Sequence, residues 1–556
     1  MSKKLKIFDS DALNNIHKRV FLFIIIFSII YSVIFFRITD IMIFKKTLQF
    51  TKNKELIYER GKIFDRKGIL LASSIKTYSL GANPQEIQDS NCNYTISLKL
   101  SEILSISKDK INRKLLRNKK HVWIKRNISP QEHQEIINLG KRGLITSVEN
   151  KRIYTKGEIT SHVVGYTNID GIGQGGIEKG LESRLAKGKD IHLSIDSILQ
   201  ESIRYELINT IKKYSAHSGL AIVLDIKSGE ILSMNSYPDF NPNNNKTFGS
   251  DNLFNRTIQG NYEMGSAFKP ITAAIGIEKK VINSDMLFDV SKPIKFGRYI
   301  IKDFHPYKGK LDLKGIIVKS SNIGTAKIAS KIGKKTQQEF FKKLGFYNKI
   351  GLEIDETAMP SANPNNWGEL ETMTIGYGHG FAITPLHLSK AYASIVNGGY
   401  KVRPTLLLKN ENPLFSESVI NPTTSKLVRQ LLRAVVLETK YTGPRIKING
   451  YEIGGKTGTA ELLDQSGKYK KDANRTTFVS VFPMSNPEYV VLAIIDDPQK
   501  IKDENYSNTA ATVVAPLVKN IILNMIKILN LPPYLQSDFL KASIDKFALE
   551  NKNVTF

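Results

Sequence analysis

Seventeen consecutive residues from Val20 to Phe36, VFLFIIIFSIIYSVIFF, carry no charge, and after Arg37 the chain continues as the mostly apolar ITDIMIF. As a helix the seventeen would span roughly 26 Å, near the lower limit for a bilayer core, which predicts a single membrane helix. A buried core helix normally has more polar positions than the two serines and one tyrosine found here. No small-x-small cleavage site follows the run, which argues against a removed signal peptide. Lys3, Lys4, Lys6, Lys18 and Arg19 before the run are matched by Arg37, Lys45, Lys46, Lys52 and Lys54 after it, so the charge count leaves orientation undecided. An arm of nineteen residues against more than five hundred fits a signal-anchor with the bulk of the chain translocated.

Beyond a spacer rich in Lys and Thr, Tyr58 to Ser74 alternates polar and apolar residues around Gly68 and predicts a β-hairpin. From about residue 75 to 190 the pattern predicts short amphipathic helices and loops, with five glycines between Gly165 and Gly176 marking a turn-rich connection. A new domain is expected near Ile191. There a helix from Ile195 to Tyr214 precedes two apolar runs around the Asp225–Gly229 turn, an antiparallel hairpin. Further strands are predicted at Tyr451–Glu461, Thr477–Phe482 and Tyr489–Asp496 with helices between, and the polar stretch Leu463–Arg475 reads as an exposed loop. The expected fold is α+β, with a central antiparallel sheet flanked by helices. The expected divisions are an arm (1–19), an anchor and its exit (20–44), a non-catalytic membrane-proximal module (45–190), a catalytic domain (191–540) and a tail (541–556).

With 556 residues the chain has room for two to four domains, and its 41% hydrophobic and 24% charged content is that of a globular protein. The net charge of +28 could point to an anionic partner. Lys, Ile and Asn are instead abundant along the whole length, and no arginine-rich, aromatic-studded run suggests nucleic acid. Cys92 is the single cysteine, which excludes an internal disulfide and any thiol or metal constellation built on several sulfurs.

In YEMGSAFKP, Ser266 and Lys269 stand three apart, so on a helix beginning near the serine both side chains lie on one face. That spacing lets a lysine amine take the proton of a serine hydroxyl, which is a weak nucleophile at its own pKa. The spacing alone says little, because Ser73 with Lys76, Ser105 with Lys108 and Ser543 with Lys546 share it. The single Lys-Thr-Gly, in GGKTGTAE, adds Lys456, Thr457, Gly458 and Thr459 on a predicted strand. There a glycine admits a substrate backbone and the Lys and Thr side chains hold a carboxylate. Serine acyl-enzymes with these two elements place a Ser-x-Asn between them in the chain. Ser250-Asp251-Asn252 precedes Ser266, and Ser361-Ala362-Asn363 runs straight into Pro364. Ser320-Ser321-Asn322 opens the apolar helical pattern SNIGTAKIASKIG and is the assigned third element.

Together these motifs, in this order, resemble the class B penicillin-binding proteins over nearly the full chain. RGKIFDRKG resembles the family's membrane-proximal signature, GYTNIDGIGQGGIE its glycine-rich stretch ending near Glu178, and AIVLDIKSGEILSMNSYPDFNPN the start of its catalytic domain. YEMGSAFKP, TMTIGYGHGFAITPLHLSKAYASIVNGG and VVLAIIDDP look more like the division-septum enzyme than the elongation enzyme. Met264 and Thr155 replace prolines common in the family, at positions that bear no functional group. The resemblance implies a peptidoglycan D,D-transpeptidase in which Ser266 attacks the penultimate D-alanine carbonyl of a stem peptide, and a second stem's amine resolves the ester. It implies Lys269 as base, Ser320 as proton relay, Asn322 on the substrate amide, and Lys456, Thr457 and Thr459 on the terminal carboxylate. The backbone N–H groups of Ser266 and Thr459 are implied as oxyanion donors. No metal or organic cofactor is called for. β-Lactams as inhibitors, a polytopic glycan polymerase and other divisome proteins as partners, and a single-pass inner-membrane address with the bulk in the periplasm complete the expectation. The rivals are a serine β-lactamase or carboxypeptidase, and a catalytically silent scaffold or antibiotic sensor.

Overall fold

The computed structural model describes residues 10–40, 59–89, 93–361, 367–409, 417–463, 469–501 and 508–533. Cys92, Asn363, the Ser543–Lys546 pair and the tail lie outside them. The chain divides into two units, Met1–Glu59 and Arg60–Phe556.

In the first unit one helix, α1 (Ser10–Thr39), contains the whole charge-free run. Its apolar stretch from His17 to Thr39 is 23 residues long, about 35 Å of helix, which is long enough to cross a bilayer core. Every side chain from Val20 to Phe36 is exposed, as a lipid-facing helix requires and a core helix forbids. The helix is consistent with a membrane anchor.

The second unit begins with the predicted hairpin, β1 (Ile63–Phe64) turning at Gly68 into β2 (Leu70–Ala82). The expectation of helices and loops after residue 75 is corrected here. β2 runs on to Ala82 and pairs with β3 (Val122–Ile128) and, through eleven residue pairs, with β4 (Leu144–Tyr154). Short helices such as Asn93–Leu104 and Pro130–Asn138 pack beside this sheet. The strands escaped detection because β2 and β4 mix Ser, Thr, Lys and Glu with the apolar residues, leaving little period-2 signal. Glu178 is fully buried and accepts from both Arg60 Nε and Arg152 Nε at 2.7 Å. Asp65 accepts from Ile69 N at 2.8 Å and from Ser197 Oγ at 2.7 Å. The RGKIFDRKG signature is therefore a brace, tying the glycine-rich stretch and the first catalytic-domain helix to one hairpin.

Strand β5 (Ile191–His192) pairs in parallel with β1 and leads into α2 (Ser197–Lys213), whose first N–H groups are capped by Asp196. The predicted hairpin follows as β6 (Ser218–Asp225) and β7 (Ile231–Tyr237). Three segments beyond it position the site: helix α3 (Lys269–Glu278), a small hairpin of β8 (Ile294–Phe296) and β9 (Tyr299–Ile301), and helix α4 (Asn322–Ile332). The chain then supplies β10 (Gly454–Leu463), β11 (Tyr469–Phe482), β12 (Tyr489–Asp496) and α5 (Ala510–Ile528).

These strands form a five-stranded antiparallel sheet in the order β10-β11-β12-β6-β7. In β12, Val490, Leu492 and Ile494 join the core that holds Phe268, Ile271 and Tyr392, while Val491, Ala493 and Ile495 join α2 and α5 on the opposite face. Period-2 alternation with both faces apolar is what a sheet covered by helices on each side demands. α5 is long and apolar enough to cross a membrane, yet Val514, Val518, Ile521 and Ile522 are wholly buried against the sheet, so it is a core helix. The supposed loop Leu463–Arg475 is corrected too: β11 starts at Tyr469 and pairs Asn474 with Glu461 and Arg475 with Ala460. Arg475 is held by the Tyr262 ring, 3.7 Å from its centroid, and by Asp496, contacts invisible in its local polar sequence.

Candidate active site

Ser266 sits in a single 3-10 turn, Gly265–Phe268, that runs directly into α3 with Pro270 in the first helical turn. Buried residues pin this turn from behind: Tyr392 Oη donates to Ala267 O at 2.6 Å and Thr272 Oγ1 to Gly376 O at 2.6 Å. Gly378, at φ +90°, lies where a Cβ would stand 2.1 Å from Gly265 O, so only glycine fits behind the serine. On the other side the edge strand β10 passes so close that a Cβ on Gly458 would stand 2.5 Å from Met264 O. The structure shows a reason for that glycine beside the expected approach of a substrate backbone. The backbone it admits belongs to the serine turn.

Three segments far apart in the chain converge beside Ser266. Lys269 is fully buried, and its Nζ donates to Asn322 Oδ1 at 2.8 Å, to Ser320 O at 2.5 Å and to Ser320 Oγ at 3.2 Å. From β10, Lys456, 1% exposed, donates to the same Ser320 Oγ at 3.0 Å. Ser320 occupies the left-handed region at φ 59°, uncommon for a serine, and this turns its hydroxyl between the two amines. Ser321 caps α4 by accepting from Gly324 N at 2.9 Å, which sets Asn322 as the first helical residue. Ser266 is half-buried, Thr457 half-buried and Thr459 exposed. Among the described residues the hydrogen bonds of Lys269 Nζ go to Ser320 and Asn322, and none joins it to Ser266 Oγ.

Burial pushes Lys456 down to about 7. Lys269 is pushed well below the usual lysine range, first by burial and then by the charge of Lys456, with the Asp303 carboxylate working against both. A neutral Lys269 has two N–H groups for Ser320 O and Asn322 Oδ1, and its lone pair is then left facing the Ser320 hydroxyl.

The structure thus brings Ser266, Lys269, Ser320, Asn322, Lys456, Thr457, Gly458 and Thr459 together around one cleft. The competing Asn252 is engaged elsewhere, donating to Thr247 O at 3.0 Å while its own carbonyl meets His162. Ser73 and Lys76 lie on β2 in the membrane-proximal sheet. Sequence reasoning missed Asp303, Tyr392 and Gly378. Asp303 has no signal of its own, standing 19 residues before the helix it caps.

A serine turn is thus wedged against the edge strand of a helix-flanked antiparallel sheet. The profile of the penicillin binding protein transpeptidase domain matches residues 219–523, and that of the penicillin-binding protein dimerisation domain matches residues 58–195. The chain belongs to the penicillin-binding protein family, as a class B-type member and an enzyme with a catalytic domain homologous to serine D,D-transpeptidases. It is 30% identical over 511 residues to a protein of Neisseria meningitidis named probable peptidoglycan D,D-transpeptidase PenA, covering 85% of each chain. It is 28% identical over 530 residues to the peptidoglycan D,D-transpeptidase FtsI of Escherichia coli, covering 89% of this chain and 88% of that one. A solved peptidoglycan synthetase from Bifidobacterium adolescentis shares the fold, with a TM-score of 0.68 at 20% identity over 86% of this chain and 97% of the other.

Proposed function

We propose that the protein is a peptidoglycan D,D-transpeptidase that cross-links stem peptides through an ester on Ser266. The observation that carries this reading is the convergence of two buried lysines on the Ser320 hydroxyl beside the Ser266 turn. Ser266 attacks the penultimate D-alanine carbonyl, and Lys269, whose charged form burial and Lys456 disfavour, receives the serine proton. Ser320 passes a proton to the leaving D-alanine amine, and the acceptor stem's amine then resolves the ester. Asn322 holds the substrate amide. Lys456, Thr457 and Thr459 hold the terminal carboxylate, and the N–H groups of Ser266 and Thr459 stabilise the oxyanion.

In this reading residues 20–44 anchor the chain, 45–190 form a docking module for a polytopic glycan polymerase and other divisome proteins, and 191–540 work in the periplasm. The FtsI and PenA likenesses support a septal role, which localisation of a fluorescent fusion to the division site tests. The chemical test is peptide mapping of the full chain, in detergent, after reaction with a labelled penicillin. A stable adduct on Ser266 is expected. An adduct on another serine removes the proposed nucleophile, and turnover within seconds favours a hydrolase.

A further inference from the structure

The hairpin β8–β9 is largely solvated, with Tyr299 51% and Ile300 59% exposed, but the residues at its root are not free. Asp303 is buried between exposed Lys302 and Phe304. Its Oδ1 accepts from Asn322 N at 2.5 Å and Ile323 N at 3.0 Å, and its Oδ2 accepts from Ser321 Oγ at 2.7 Å. The carbonyl of Lys302 accepts from Asn322 Nδ2 at 3.0 Å. A helix N-terminus leaves its first N–H groups unpaired, and here a carboxylate from another element takes two of them at the positive end of α4. Asn322 is therefore held on every polar group: its N–H and Nδ2 by the hairpin root, its Oδ1 by Lys269.

We propose that Asp303 is a positioning residue of the acylation step: it fixes the turn carrying Ser320 and Asn322 against Lys269 and supplies the negative charge that faces that amine. The inference rests on the transpeptidase reading above. Lys269 is faced by Ser320 and Asn322 from the turn and α4, Lys456 from β10 shares the Ser320 hydroxyl with it, and Asp303 at the hairpin root is joined to it through Asn322, which bonds both. The two charged groups oppose each other, Lys456 favouring the neutral amine and Asp303 the protonated one.

The test is the pH profile of acylation by labelled penicillin in the full chain carrying Asp303→Asn. The amide keeps an oxygen for the two N–H groups and an N–H for Ser321 Oγ, while its charge is gone. Acylation is expected to slow about tenfold on the plateau through loosened alignment. The midpoint of the acidic limb is expected to move to lower pH, because Lys269 loses the charge that holds its proton. Asp303→Glu, which keeps the charge and displaces it, should slow the reaction with the midpoint unmoved. Native rate with an unmoved midpoint in Asp303→Asn would overturn the proposal, and so would a lowered rate with an unmoved midpoint, which would leave Asp303 a helix cap alone. Should Asp303→Asn fail to fold, Ser321→Ala removes one donor and leaves the charge: slowed acylation is expected, and native rate would sink the proposal. If the native chain takes no penicillin, the transpeptidase reading itself fails. The inference is then decided by ¹³Cε-lysine NMR, where an unchanged Lys269 titration in Asp303→Asn refutes it and a lower one upholds it.

Discussion

Replacing Lys456 by methionine should stabilise the fold at neutral pH while removing function. Unfolded, Lys456 keeps its proton up to its ordinary value of 10.5; folded and fully buried, it releases it near 7. Between those values the unfolded chain binds more protons, so native stability rises with pH from about 7 to about 10.5 and is lowest below 7. At pH 7 the burden amounts to about 4 kcal/mol, that difference at 1.36 kcal/mol per unit less the relief from the folded amine being half deprotonated there. Methionine has similar length and no charge to bury, but it forfeits the bonds to Ser320 Oγ at 3.0 Å and Thr457 O at 3.2 Å, about 1 kcal/mol each. The net expectation is a gain of about 2 kcal/mol at pH 7, a few degrees in Tm, that shrinks and changes sign as the pH approaches 10. The assay is thermal unfolding of the full chain and of Lys456→Met in matched detergent from pH 6 to 10, with penicillin acylation measured alongside. A variant less stable than the native chain by the same amount at every pH would refute the reasoning, since Lys456 would then carry no perturbed proton equilibrium.

Lys269→Arg keeps a cation in place but cannot be deprotonated, so acylation should be almost wholly lost with the adduct-free fold intact; near-native acylation would make Lys269 an electrostatic helper only. Asn322→Ala should slow acylation by about an order of magnitude or more, whereas Asn252→Ala, whose partners lie away from the cleft, should change it little; the reverse ranking would reassign the third motif. Glu178→Gln leaves Arg60 and Arg152 buried without their shared counter-charge and should lower stability by about 3 kcal/mol, read in urea unfolding, with the acylation rate per folded molecule unchanged.

Elements with a strong local code were legible. The short apolar run YVVLAIID, the Asp225–Gly229 turn and the apolar run of α1 each reflect an interaction decided within a few residues, and each lies where the pattern predicts it. β4 and the part of β2 beyond Ser74 were not legible, since polar residues interrupt the few buried apolar ones, Leu80, Ala82 and Tyr154, and leave no clear period. The part of β11 before Thr477 escaped for a related reason: Arg475 is at home in a strand because Tyr262 and Asp496 await it there.

For the site, the chain alone determined which chemical groups are available: a serine with a lysine three residues on, one Lys-Thr-Gly, and several Ser-x-Asn triplets, of which Ser320-Ser321-Asn322 stands between the other two elements and opens a helical pattern. What the tertiary structure adds is proximity: it sets Ser320 Oγ against amines 51 and 136 residues away. It also decided the proton inventory. A lysine's charge depends on the water it loses and the charges it meets, and Lys269, Lys456 and Asp303 meet only when the sheet edge, α3 and the root of the β8–β9 hairpin are packed together.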